Sequence, residues 1–148
     1  MTDEQPMVRL TGVAKRFTKG KETISIFDHL DLAIPRGDFI AVMGPSGSGK
    51  TTLLNLLGGI DRADAGEIAV ADQRIDGLSE GELAAWRAAN IGFIFQFYNL
   101  MPMLTAAQNV ELPLLLTRLN RKERAERVQT ALSVVGLADR IKHRPREM

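Results

Sequence analysis

The segment Gly44-Pro45-Ser46-Gly47-Ser48-Gly49-Lys50-Thr51 constrains this chain more than any other. It fits the pattern G-x-x-x-x-G-K-[ST] and stands between two runs of different character. Before it, Phe39-Ile40-Ala41-Val42-Met43 is continuously apolar, which predicts a strand buried on both faces. After it, Lys50-Thr51-Thr52-Leu53-Leu54-Asn55-Leu56-Leu57 is leucine-rich and stopped by Gly58-Gly59, which predicts a short helix. Glycines at 44, 47 and 49 permit positive φ, so that successive N–H groups can converge on one centre. The helix that follows adds unsatisfied N–H groups and a dipole that favours an anion. A loop of this kind is a phosphate site. Lys50 brings a full positive charge to the β- and γ-phosphates of a nucleotide, and the Thr51 hydroxyl is placed to ligate Mg2+. Lys50 is expected to be exposed, because it serves a ligand and not a core.

The rest of the chain reads as α/β, with antiparallel strands first and helices dominating the C-terminal third. Residues 7–34 read as strands: Ile24 and Ile26 alternate around Ser25, and Leu30, Leu32 and Ile34 around Asp31 and Ala33. Turns are expected at Thr18–Lys21 and Pro35–Asp38. Residues 66–71 predict another strand, with Asp72 at a hairpin end. Ile91-Gly92-Phe93-Ile94-Phe95 predicts a second buried strand, ending at Gln96. Capping boxes Ser79/Glu82, Thr105/Gln108 and Asn120/Glu123 open three helices. The first should reach about Ala89, and Pro113 should kink or break the second. The third should present Ala125, Val128, Leu132 and Val135 on one face, with Arg121–Arg124 solvated and Gly136 as its end.

Composition narrows the function classes. The 148 residues carry 19 basic and 18 acidic side chains, so no strong field points at nucleic acid or a membrane surface. There is no cysteine, which removes disulfides and thiolate metal sites. The acidic, polar start Met1–Pro6 is unlike a secretory signal, and no apolar run approaches the length of a membrane span. A cytoplasmic location is expected. His29, beside Asp28, and His143, in a basic tail, read as structural or solvated.

Beyond the loop, the chain resembles a family. Gly44 to Leu54, with Thr52 following the motif, looks like the Walker A segment of ATP-binding cassette (ABC) transporter ATPases. Phe93-Ile94-Phe95-Gln96 looks like their Q-loop, and Leu104 to Pro113 is similar to the segment that follows it. The wording is closest to the lipoprotein-release and macrolide-export group, over roughly residues 8–148. The resemblance implies a P-loop NTPase fold, with a β part and P-loop over about 1–96 and a helical region over about 97–148. It implies ATP and Mg2+ as ligands, bound by Gly44, Pro45, Ser46, Gly47, Ser48, Gly49, Lys50, Thr51 and Thr52. Gln96 would touch Mg2+ and the attacking water, and couple the nucleotide to a membrane permease. Its plain alternative is a polar residue at a strand end. Phe17 aligns with the aromatic that stacks on adenine, where the family more often has tyrosine; its alternative is core. A second ATP-binding subunit would complete a dimer, and the complex would sit on the inner face of the cell membrane.

The same resemblance calls for a Ser-Gly-Gly-Gln signature, an apolar strand ending in Asp-Glu and a switch histidine. The chain ends at His143–Met148, where the signature would begin. Ile68–Asp72 imitates an apolar strand with a terminal Asp, but Gln73 follows and the phosphate loop is too close. Leu57-Gly58-Gly59 lacks the serine and glutamine of a signature. The expected activity is ATP hydrolysis coupled to transport, with this stretch alone inactive. Alternatives are a nucleotide-binding module without turnover, or a different P-loop enzyme such as a kinase. Without partner strands, the faces of 39–43 and 91–95 are expected to be uncovered, leaving a marginal fold.

Overall fold

The computed structural model describes residues 5–96 and 98–148, so the first residues of the acidic start, and Phe97 at the head of the expected helical region, lie outside it. The chain divides into Met1–Phe93 and Ile94–Met148.

In the first unit, β1 (Val8–Lys19) and β2 (Glu22–Ile34) form a long hairpin about Gly20 and Lys21. They pair antiparallel from Val8↔Ile34 to Lys19↔Glu22. On its other edge β1 pairs antiparallel with β3 (Ala65–Val70), which turns back into β4 (Gln73–Arg74), giving the order β2-β1-β3-β4. Central placement explains why β1 supplies the most deeply buried strand residues, Leu10 and Val13. Helix α1 (Lys50–Leu57) adds Leu56, and α2 (Glu80–Asn90) adds Leu83 and Trp86, spaced three apart on one face. Each such side chain contributes about 1.5–3 kcal/mol of burial. Asp72, at positive φ, sits in the β3–β4 turn and pairs with Arg36, so it is the hairpin-end residue that its sequence context suggested. Asp76 closes the same region by accepting from the Ile68 N–H at 2.9 Å and the Arg74 guanidinium at 2.6 Å. Burial pushes its carboxyl up, but the Arg74 contact and the backbone N–H groups outweigh that and hold it below the ordinary value.

Two expectations need correction. Neither 39–43 nor 91–95 forms a strand. Phe39, Met43 and Ile94 are almost wholly exposed, at 98%, 88% and 102%. A strand buried on both faces exists only with ladder partners and cover, and the sheet of this unit is antiparallel without including either run. The apolar sequence records what such a segment packs against and does not itself create the strand. Ile91 nevertheless packs against the core of the unit, and Phe93 is half-buried close to Gly58.

In the second unit, α3 (Ala106–Glu111) ends before Pro113 and passes into a 3-10 turn, Leu112–Leu116, as the proline requires. Helix α4 (Arg121–Val134) packs Val128 and Leu132 against Ala106, flanked by Val110, Leu114, Leu137 and Ile141. Ala125 and Val135 are exposed, so the expected four-residue face is narrower than its spacing suggested. Arg124 departs from the solvated reading of its run. It donates to Glu111 Oε1 at 3.0 Å and to the Leu119 carbonyl at 2.9 Å, fastening α4 to α3. His143 is structural through its backbone, whose carbonyl accepts from the Ala106 N–H at 2.7 Å. His29 is exposed and lies 3.5 Å from Asp31.

Candidate nucleotide site

Helix α1 begins differently from its neighbours. Its N-cap is Gly49, at φ 89°, and no side chain caps it. The first loop-to-helix bond runs from the Leu53 N–H to the Gly49 carbonyl at 2.8 Å. The N–H groups of Lys50, Thr51 and Thr52 therefore emerge at the helix end with no capping side chain, beside the positive end of the dipole. By contrast α2, α3 and α4 each open with the full capping box that the sequence predicted.

The loop is shaped by its glycines and by β2. A Cβ on Gly49 would lie 2.7 Å from Ile26 Cγ2 and 3.0 Å from Phe27 Cζ, so only glycine tolerates both this contact and this φ. Both side chains reach Gly49 although they are consecutive in a strand. The register explains this: Lys15 pairs with Phe27 but Arg16 pairs with Ser25, and the irregularity breaks the alternation at Ile26. A Cβ on Gly44 would lie 2.8 Å from Ser48 Oγ.

Lys50 is half-buried, which corrects the expectation of an exposed side chain. Its ammonium lies inside the loop and donates to the carbonyls of Gly44 at 2.9 Å and Pro45 at 2.7 Å, and to Ser48 Oγ at 3.3 Å. Around it are two openings. One, of about 250 Å³, is lined by Phe27, Val42, Met43 and the inner loop. The other, of about 290 Å³, is lined by Ile26, Ser46, Gly47, Gly49, Lys50, Thr51 and Thr52. Neither has an acidic lining residue.

Comparison with known proteins decides the family. The ABC transporter family model matches residues 27–148. The chain belongs to the ABC transporter family. It is 44% identical over 142 residues to the uncharacterized ABC transporter ATP-binding protein YknY of Bacillus subtilis, covering 96% of this chain and 62% of YknY. It is 42% identical to the lipoprotein-releasing system ATP-binding protein LolD of Xylella fastidiosa, covering 97% of this chain and 60% of LolD. It is 40% identical to the macrolide export ATP-binding/permease protein MacB of Pasteurella multocida, covering 97% of this chain and 22% of MacB. The solved ATP-binding cassette MJ0796, a dimer bound to ADP and Pi, superposes with a TM-score of 0.84 at 38% identity, covering 96% of this chain and 63% of that one. The chain thus spans about three fifths of the ATP-binding relatives it matches. Its fold class is that of ABC ATPase cassettes: an antiparallel sheet with a P-loop and helices. Among the described residues no helix is long and apolar enough to cross a membrane.

Gly44 to Thr52 form one continuous loop that enters α1. Phe17 lies in β1 opposite Ile24, 42% exposed, which separates it from the core. Gln96 is exposed and belongs to the second unit. Sequence reading did not single out Ile26 and Phe27, because a strand irregularity leaves no local signal. It also passed over Lys15, the one charged residue buried among the described ones. A lysine two residues before an aromatic in the same strand was the available clue.

The donor set fits a nucleotide triphosphate with Mg2+. Uncapped N–H groups, the Lys50 side chain and the hydroxyl-bearing Thr51 and Thr52 line one opening. Mg2+ favours hard oxygen and takes few protein ligands, with phosphate oxygens supplying others. Among the described residues no cluster of three His, Asp or Glu could hold a metal.

Proposed function

We propose that this chain binds Mg-ATP at the loop Gly44–Thr52 and serves as the ATP-binding part of an ABC transporter, coupling ATP binding and hydrolysis to a separate membrane permease. The observation that carries the reading is the uncapped start of α1 with the Lys50 ammonium held in the loop beside it. Neutral carbonyl acceptors hold Lys50 in place, and phosphate oxygens offer the same geometry with negative charge. Exchanging one for the other is therefore favourable. The N–H groups of Lys50, Thr51 and Thr52 would hold phosphate oxygens, and Thr51 Oγ1 would hold Mg2+. Bound there, the metal supplies positive charge against the β- and γ-phosphates. Phe17, with its exposed ring, would stack on the adenine. Gln96 would act at the γ-phosphate and carry the signal to the permease. Its exposure permits that role. Two such subunits would close over the nucleotide, in keeping with the dimeric structure of the MJ0796 cassette. Localisation would be the cytoplasmic face of the membrane, through the permease.

A second reading concerns the stretch itself. Among the described residues no carboxylate lines either opening around the loop, and Asp72 is held by Arg36 in a turn. Hydrolysis needs a group that orients and activates water as well as charge on the phosphates. Residues 1–148 alone are therefore proposed to bind Mg-ATP without turnover.

The test is titration of a fluorescent ATP analogue into the wild type and Lys50→Ala, followed by phosphate-release measurements on both. Losing several charge-assisted bonds should weaken binding by roughly 2–4 kcal/mol, while the far-ultraviolet spectrum stays unchanged. Equal affinities would overturn the nucleotide reading. Sustained Lys50-dependent phosphate release would overturn the proposal of binding without turnover.

A further inference from the structure

Lys15 is buried, with 7% exposure, yet takes no part in the phosphate loop. Its ammonium donates to Asp61 Oδ1 at 2.7 Å and to the Arg62 carbonyl at 2.7 Å. It also lies 5.0 Å from the centroid of the Phe17 ring, within cation–π range. The acceptors stand on the segment that leaves α1. The Ile60 and Asp61 N–H groups donate back to the Asn55 carbonyl of that helix at 2.8 and 3.1 Å. Asp61 Oδ1 also accepts from the Arg62 N–H at 2.7 Å, so the oxygen that receives the ammonium is held by its own backbone neighbour as well. One buried cation thus ties the ring of Phe17 to the exit of the helix whose entrance holds the phosphate loop.

We infer that Lys15 is a positioning residue for the base end of the nucleotide site. It holds the Phe17 ring from one side and leaves the ring's remaining exposed surface for a planar purine. This inference rests on the proposed nucleotide reading and adds a residue that acts only through Phe17. Three features support it. The ammonium is anchored by two short hydrogen bonds, so its place beneath the ring is set independently of any ligand. Phe17 is paired on β2 with the half-exposed Ile24 and lies outside the packed core cluster. Burying a charge is costly unless it is paired, and an apolar residue of similar length would fill the same space without that cost.

The test compares ATP with inorganic tripolyphosphate, both with Mg2+, by calorimetric titration of the full chain. Tripolyphosphate engages the loop but has no base to stack. Lys15→Met should weaken ATP by about threefold to tenfold and change tripolyphosphate by less than about twofold. In a Phe17→Ala background the same substitution should have no further effect on ATP. If Lys15→Met fails to fold, Lys15→Met with Asp61→Asn removes the stranded carboxylate and is read the same way. Equal weakening of both ligands would assign Lys15 a purely structural role and overturn the inference. So would unchanged ATP affinity, or additive losses in the double variant. Failure of the wild type to bind either ligand would instead sink the nucleotide reading, and the inference with it.

Discussion

At the start of α4, Asn120 Oδ1 accepts from the Lys122 and Glu123 N–H groups at 2.9 and 3.0 Å, and Glu123 returns a bond to the Asn120 N–H at 2.7 Å. At the start of α1, Gly49 has no side chain to offer, and the corresponding N–H groups receive no side-chain cap. Both are helix entrances at the positive end of a dipole, but Asn120 enters in an extended conformation and Gly49 in a left-handed one, and their sequences divide the work differently. The capped helix satisfies its own donors and gains about 1 kcal/mol of stability from doing so. The uncapped one forgoes that gain, and in the proposed function its donors serve an anion. A functional helix entrance is thus recognised partly by the stabilising residue it lacks.

The comparison can be broken at Gly49. Gly49→Ala places a Cβ against Ile26 and Phe27 in a left-handed backbone, so unfolding free energy should fall by about 1–3 kcal/mol with ATP binding lost as the loop deforms. Chemical denaturation and nucleotide titration check the two effects. Unchanged stability would show that the close approach to β2 is not structural. The reciprocal substitution is Asn120→Ala. It should cost about 1 kcal/mol and leave ATP affinity unaltered, because α4 lies in the other unit and its entrance satisfies its own donors. A loss of nucleotide affinity there would blur the division between the two kinds of entrance.

The smallest effect lies at α2. The Ser79 hydroxyl first, and then its N–H, hold the Glu82 carboxyl below its ordinary value of 4.5, against a weaker opposing effect of burial. A depressed carboxyl contributes stability that is present above the unfolded value and is lost as pH falls through the folded one. Acid unfolding of the wild type should therefore steepen below about pH 4.5, and Glu82→Gln should flatten that limb without moving the neutral baseline much. An identical acid profile in the variant would remove the capping box as a contributor.

Legibility of the sequence followed the range of the interactions. Capping boxes, the break before Pro113 and the antiparallel hairpin were readable because each depends on residues a few positions apart or on strict alternation. The runs 39–43 and 91–95 misled because an apolar string specifies a strand only through partners elsewhere. Within the site, the loop was legible residue by residue from Gly44 to Thr51. Lys50 was misjudged, since the carbonyls of Gly44 and Pro45 that draw it inward are backbone groups present in every sequence. Ile26, Phe27 and Lys15 depend on a strand irregularity and on a distant Asp61, neither of which leaves a local trace. Family resemblance reached Phe17 and Gln96, whose roles geometry alone does not assign.

The central claim is that the first-turn N–H groups of α1 are kept for nucleotide phosphates while the other helices satisfy their own. Amide chemical shifts, followed by ¹⁵N–¹H correlation spectra during titration with Mg-ATP, test this most directly. The account predicts large changes at Ser48 through Thr52, and little change at the first turns of α2, α3 and α4. Changes absent from the α1 entrance, or spread equally over all four helix entrances, would contradict it.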